Sequence, residues 1–140
     1  MGFERFGKIN YTRETKVKDF VDHLSEGKIE ATQCRVCKKL YFPPQMDCSN
    51  CLSSDQMDWI EIANEWTLLT YTKAHFAPTG FEEDTPYILA IAESKEGLKT
   101  FARLSKDVAE DKITVGMKLR LVPVRLPNEK IAYEFKNAVE

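Results

Sequence analysis

Val17, Phe20, Val21 and Leu24 recur at the i, i+3, i+4, i+7 spacing that gathers apolar side chains on one helix face, and Gly27 follows where such a helix would stop. After residue 56 the pattern changes. Met57 to Ile62 and Glu65 to Phe76 are rich in Trp, Thr, Tyr, Leu and Ile, with Asn64 marking a turn between them, and both predict strands. Pro86 to Ala92 is a nearly unbroken apolar run, which predicts a central strand covered on both faces. Lys95-Glu96-Gly97 predicts a hairpin turn into a strand over Leu98 to Leu104, and the polar stretch Lys106 to Lys112 predicts one short helix. Gly116 opens a long strand to Leu126. Its apolar phase shifts from Met117, Leu119 and Leu121 to Val122, Val124 and Leu126 with Pro123 at the shift, which predicts a bulge. In the last strand Ile131, Tyr133 and Phe135 alternate with Ala132, Glu134 and Lys136.

All four cysteines fall between the helix and the strands, as Cys34-Arg-Val-Cys37 and Cys48-Ser-Asn-Cys51. Two residues between paired cysteines let both thiolates reach one ion from a tight turn, and two such turns complete a tetrahedron. Pro43 and Pro44 between the pairs cannot extend a helix and suit a link between short strands. The spacing predicts a closed structural site. A catalytic zinc keeps one position for water and takes three protein ligands, whereas four thiolates leave no vacancy. Zinc is the expected ion; iron in a rubredoxin-like site has the same ligand set. The competing arrangement is a pair of disulfides, which a reducing compartment disfavours. The expected fold is therefore mainly β: an N-terminal helical arm over residues 1–30, a four-cysteine zinc ribbon over 31–56, and a five-stranded barrel of the small Greek-key type, the OB-fold, over 57–140.

At 140 residues the chain is long enough for one core. Its net charge of −2 is unevenly spread: between Tyr41 and Ser94 the only basic residue is Lys73, among many acidic ones. With a pI near 5.8, the chain lacks the basic face that phosphate neutralisation demands of a nucleic-acid binder. No apolar run approaches the roughly 20 residues of a membrane helix, and the first ten residues lack the apolar stretch of a secretory signal, so cytoplasmic residence with no membrane partner is expected.

Candidate chemistry outside the cysteines is sparse. The six glycines are too scattered for a phosphate-cradling loop, and there is no nucleophile elbow. His23 lies beside the apolar stripe of the helix and reads as a solvated edge residue. His75 shares a predicted strand face with Tyr71 and Lys73, just before a loop that carries Glu82-Glu83-Asp84 and is bracketed by Phe76 and Phe81. No catalytic dyad emerges, so no catalytic residue is assigned.

The order of these features carries a resemblance. Gly27, Cys34, Cys37, Tyr41-Phe-Pro-Pro44, Cys48, Cys51, Thr70-Tyr-Thr72, Pro86-Tyr87, Gly97 and Val115-Gly-Met117 together resemble the family catalogued as domain of unknown function 35, a rubredoxin-like zinc ribbon joined to an OB-fold. The likeness runs from about Val17 to Phe135. Two positions depart from it: Gln45 stands where the family often has Arg, and Lys38 where Gly is common. The resemblance implies a non-catalytic accessory protein of acyl-CoA metabolism, docked on a thiolase-type or hydroxymethylglutaryl-CoA-synthase-type enzyme. The ribbon and helix would dock, and the barrel would form one wall of a channel for coenzyme A or acyl-CoA. The phosphates of that ligand call for placed cations. The candidates on or next to predicted strands are Lys73, His75, Lys99, Arg103, Arg120 and Arg125, with Lys118 beside them. The alternative is a nucleic-acid-binding module, because OB barrels stack bases and Arg35, Lys38 and Lys39 flank the first knuckle.

Overall fold

The computed structural model describes residues 3–8, 15–77, 79 and 81–138. Part of the expected helical arm, residues 1–2 and 9–14, lies outside them. The helix, α1 (Asp19–Ser25), buries Phe20, Val21 and Leu24, while Val17 stays half-exposed before its first turn. Gly27 closes it at φ +83: its N–H reaches the Leu24 carbonyl at 2.9 Å and the Lys28 N–H reaches the His23 carbonyl at 2.9 Å, a pairing that needs the left-handed residue between.

The ribbon is a three-stranded antiparallel sheet in the order β2 (Leu40–Tyr41), β1 (Glu30–Cys34), β3 (Met57–Glu61). The segment Met57 to Glu61, expected to open the barrel, instead pairs along the whole of β1, from Cys34 opposite Met57 to Glu30 opposite Glu61. Alternation marks a strand but does not name its neighbour.

The barrel comprises β4 (Trp66–Ala74), β5 (Tyr87–Ser94), β6 (Lys99–Leu104), β7 (Lys118–Leu126) and β8 (Lys130–Asn137), closed in the order β4-β5-β6-β8-β7. Strand β8 meets β6 in parallel at Leu104 and Phe135, and β7 returns to β4 at Trp66 and Leu119. That is the five-stranded Greek-key barrel anticipated from the pattern. Lys95 to Gly97 makes the β5–β6 hairpin with Gly97 at φ +89, and the segment after β6 holds a short 3-10 helix, Glu110–Lys112.

Two expectations are corrected. The β7–β8 register runs without a break from Leu119 opposite Asn137 to Leu126 opposite Lys130, so no bulge sits at Pro123. Val122, Pro123 and Val124 are all half-buried, so the shift in apolar phase records two partly covered faces and not an inserted residue. The register slips in β4, between Leu68 and Thr70. Strand β5 is covered on one face only: Ala90 and Ala92 are fully buried, but Ile91 between them is 41% exposed.

A single apolar core joins the three parts. Phe20, Val21 and Leu24 of α1, Ile29 and Ala31 of the ribbon, and Phe42 from its loop pack with Trp66, Leu68, Leu119, Leu121, Ile131 and Phe135 of the barrel. The Phe42 ring lies 5.9 Å from Phe20, 5.5 Å from Tyr133 and 6.0 Å from Trp66, so the loop between the two cysteine pairs is pinned into the barrel. A smaller cluster of Cys34, Tyr41, Cys48 and Met57 lines the metal end of the ribbon.

Candidate functional site

The two cysteine turns are near copies. In the first, Cys34 N–H donates to the Lys39 carbonyl at 2.9 Å and Lys38 N–H to the Cys34 carbonyl at 2.9 Å. In the second, Cys48 N–H donates to Ser53 and Leu52 N–H to Cys48, at 2.9 and 3.0 Å. The turn closes only if the residue after the second cysteine is left-handed, and Lys38 (φ 68) and Leu52 (φ 65) both are. Glycine takes that conformation without steric cost, whereas a side chain there is strained.

The facing turns bring all four sulfurs within 4.8 Å of one another. Cys34 Sγ lies 3.7 Å from Cys51 Sγ, and Cys37 Sγ lies 3.5 Å from Cys48 Sγ. A tetrahedral zinc with sulfurs at about 2.3 Å separates them by about 3.8 Å, so the donor set fits the ion. A disulfide needs about 2.05 Å, so the alternative pairing is not formed.

Side chains around the sulfurs treat them unequally. Tyr41 Oη lies 3.3 Å from Cys48 Sγ and 3.2 Å from Ser49 Oγ, and accepts the Ser49 N–H at 3.1 Å. Ser53 Oγ lies 3.0 Å from Cys51 Sγ. The Tyr41 hydroxyl, with the Cys51 N–H, pulls the Cys48 thiol down to about 6, and the Ser53 hydroxyl lowers that of Cys51. The Cys37 N–H favours the thiolate of Cys34, but burial and protons shared with Cys51 and Cys37 outweigh it and push that thiol up. In the sequence Tyr41 stands out only within its Tyr-Phe-Pro-Pro run, and Ser53 carries no local signal.

The cations expected to line one wall are dispersed. Lys99 and Arg103 share the outer face of β6. Lys73 sits near the end of β4, with Nζ 2.9 Å from Glu110, and His75 is exposed just past the strand. Arg120 is half-buried on β7, and Arg125 donates to the Ser25 carbonyl at the end of α1, at 3.1 Å. Lys118 donates to Thr67 Oγ1 at 2.9 Å. The helical His23 is not simply solvated: it lies 3.2 Å from Glu30 and edge-on to Trp59 at 4.8 Å.

The outer face of β5 and β6 carries what single-residue reading missed. Thr100, Ala102 and Leu104 point into the barrel, leaving Lys99, Phe101 and Arg103 outside; Phe101 is 60% exposed and pairs across the sheet with Ile91. Arg103 is already engaged. Its guanidinium lies 4.5 Å over the Tyr87 ring and 3.2 Å from Asp84, which Lys8 also contacts at 3.2 Å. Burial would raise the Asp84 carboxyl, but the Lys8 and Arg103 hydrogen bonds outweigh it and hold it below the usual carboxylate range. The every-second-residue spacing of Lys99, Phe101 and Arg103, which puts all three on one side of a strand, was the available signal for this face.

A closed four-thiolate site on a ribbon fused through one core to a Greek-key barrel defines a zinc-ribbon OB-fold protein. Two family models match in tandem: "ChsH2, rubredoxin-like zinc ribbon domain" over residues 21–58 and "ChsH2, C-terminal OB-fold domain" over residues 59–124. The chain belongs to the DUF35 family. It is 29% identical over 97 residues to a DUF35 domain-containing scaffold protein of Methanocaldococcus jannaschii, covering 69% of this chain and 68% of the relative. It is 27% identical over 111 residues to the benzoylsuccinyl-CoA thiolase subunit BbsA of Geobacter metallireducens, covering 77% and 73%. Among solved structures it is similar to a chain of the "Ltp2-ChsH2(DUF35) aldolase", with TM-score 0.75 and 26% identity over 91% of this chain and 99% of that one. A DUF35 protein from Sulfolobus solfataricus, at TM-score 0.56 and 17% identity, shares the fold. Among the described residues no helix is long and apolar enough to cross a membrane.

Proposed function

We propose that this chain is a non-catalytic accessory subunit of acyl-CoA metabolism, working in the cytoplasm, that docks on a thiolase-type or related CoA enzyme. The carrying observation is the likeness, over 91% of this chain and 99% of the other, to a chain from an aldolase assembly that contains a DUF35 protein. The relative named as a thiolase subunit points to the same class of partner. The four thiolates hold zinc as a structural ion; the same sulfur tetrahedron admits iron.

The face formed by Ile91, Phe101 and Lys99 is the docking and ligand surface in this reading. Ile91 and Phe101 are exposed apolar side chains paired across the sheet, and adjacent apolar side chains on one open sheet face support a contact surface there. A CoA moiety finds there a ring to stack on, with Lys99 and Arg103 on either side of it along the strand. The same features favour single-stranded nucleic acid as the second reading, since base stacking on an exposed ring is sequence-tolerant. The acidic stretch around the first barrel strands opposes it.

The test is affinity capture from the native cell with the wild-type chain and with Phe101→Glu. Wild type retains an enzyme that acts on CoA thioesters, and Phe101→Glu, which leaves the core untouched, does not. Retention of no such enzyme by the wild type would sink the proposal. Micromolar, steeply salt-dependent binding of single-stranded DNA or RNA would replace it with the second reading.

A further inference from the structure

The two turns match in backbone but not in what surrounds their sulfurs. Ser53 and Lys39 occupy equivalent positions, each accepting the N–H of its turn's first cysteine on its carbonyl. Only Ser53 carries a hydroxyl, and it lies 3.0 Å from Cys51 Sγ. Tyr41, 93% buried, adds its hydroxyl to Cys48 and none to the first turn. Lys39 Nζ stands 5.5 Å over the Tyr41 ring, where its charge makes the phenol a better donor. No hydrogen bond from a Ser, Thr or Tyr hydroxyl to Cys34 or Cys37 is found among the described residues.

We infer that Tyr41 and Ser53 are positioning residues which anchor the ion to the Cys48–Cys51 turn, so that the Cys34–Cys37 turn is the half of the site that opens. A hydroxyl proton shared with a thiolate orients its lone pairs toward the ion and occupies one an electrophile would otherwise reach. Such outer partners are worth about 10- to 100-fold in metal affinity. Solvent access does not produce the asymmetry: Cys37 and Cys51, one from each turn, are both half-exposed, whereas Cys34 and Cys48 are both buried. Exposure alone therefore makes Cys37 and Cys51 equal targets; the hydrogen bonds make Cys37 the first.

This rests on the site holding zinc, and the experiment separates the two claims. Zinc-loaded wild type, Tyr41→Phe and Ser53→Ala are challenged with a chromogenic chelator to time zinc transfer, and with limiting iodoacetamide followed by peptide mass mapping. Wild type is alkylated at Cys37 before Cys51. Tyr41→Phe, which keeps the ring, transfers zinc about tenfold faster or more, and Ser53→Ala removes the preference for Cys37. The cobalt-substituted proteins add a spectroscopic check: the thiolate-to-cobalt charge-transfer band shifts in Tyr41→Phe, which loss of packing elsewhere would not cause. Equal transfer rates in all three proteins, or Cys51 modified first in wild type, overturns the inference while leaving the zinc site standing. A wild-type protein that binds no metal overturns both. If Tyr41→Phe fails to fold, Ser53→Ala in its surface turn still decides the order of modification.

Discussion

The side-chain amide of Asn64 exchanges two 2.8 Å hydrogen bonds with the backbone of Leu121, Nδ2 donating to the carbonyl and Oδ1 accepting the N–H. Asn64 stands between ribbon and barrel at φ 58, a conformation Asn tolerates better than most residues. Its amide thus stands in for a strand residue beside β7, and the same Oδ1 accepts the indole N–H of fully buried Trp66 at 3.0 Å.

Asn64→Ala therefore leaves two donors, Leu121 N–H and Trp66 Nε1, without their acceptor, and the Leu121 carbonyl without its donor. At about 1–3 kcal/mol for each of the two unsatisfied donors, the expected loss of stability is roughly 2–6 kcal/mol. Denaturant titration followed by Trp fluorescence measures it; a loss below about 1 kcal/mol would show that water replaces the amide without penalty.

How much of this was legible beforehand follows from what periodicity and spacing encode. The stripe Phe20, Val21, Leu24 and the pairs Cys34–Cys37 and Cys48–Cys51 declare themselves because each lies within one element. The pairing of Met57–Glu61 with β1 and the slip at Leu68 depend on partners far along the chain, which a local pattern does not carry. The Pro86 to Ala92 run differs from its pattern for a related reason: apolar residues on both faces do not require burial of both, and the outer face stays open at Ile91. The scatter of Lys73, Arg120 and Arg125 away from Lys99 and Arg103 likewise comes from the closing of the barrel, which turns neighbouring strands to different directions.

Metal removal tests how far the ribbon and barrel are one unit. Phe42 sits between the two cysteine pairs and packs on Phe20, Tyr133 and Trp66. Stripping the ion with a strong chelator frees the turns, so the loop loses its restraint at both ends. The expected result is loss of the ribbon sheet together with a lowered melting temperature of the barrel. Unfolding of the stripped protein with a barrel transition unchanged from the loaded form would show that Phe42 does not couple them.

Lys38→Gly tests the strain in the first cysteine turn. A side chain at φ 68 costs roughly 1–2 kcal/mol relative to glycine, partly offset by the greater freedom of glycine in the unfolded chain. The N–H to Cys34 and the carbonyl that accepts Gln33 Nε2 at 3.1 Å both belong to the backbone and survive the change. A gain of about 0.5–1 kcal/mol is expected in the metal-loaded protein by denaturant titration. A loss would mean that the lysine side chain itself contributes to the fold.

Glu134 supplies a pH-dependent test away from the cysteines. It is half-buried on β8, and burial pushes its carboxyl above the ordinary range, against the Ser105 hydrogen bond and the charges of Lys136 and Arg103, which act the other way. A carboxyl with a folded value above the unfolded one, near 4.3, favours the folded state less and less as pH rises through that window, and the full penalty stands at neutral pH. Glu134→Gln keeps the shape and removes the charge. The variant is expected to melt roughly 1–3 °C above wild type at neutral pH, with the gap closing as pH falls toward about 4.3. Comparing the two metal-loaded proteins at each pH cancels whatever acid does to the thiolates, since both carry the same site. A gap of constant size across that range would mean that the gain comes from packing or a new hydrogen bond, and that burial of the Glu134 charge carries no penalty.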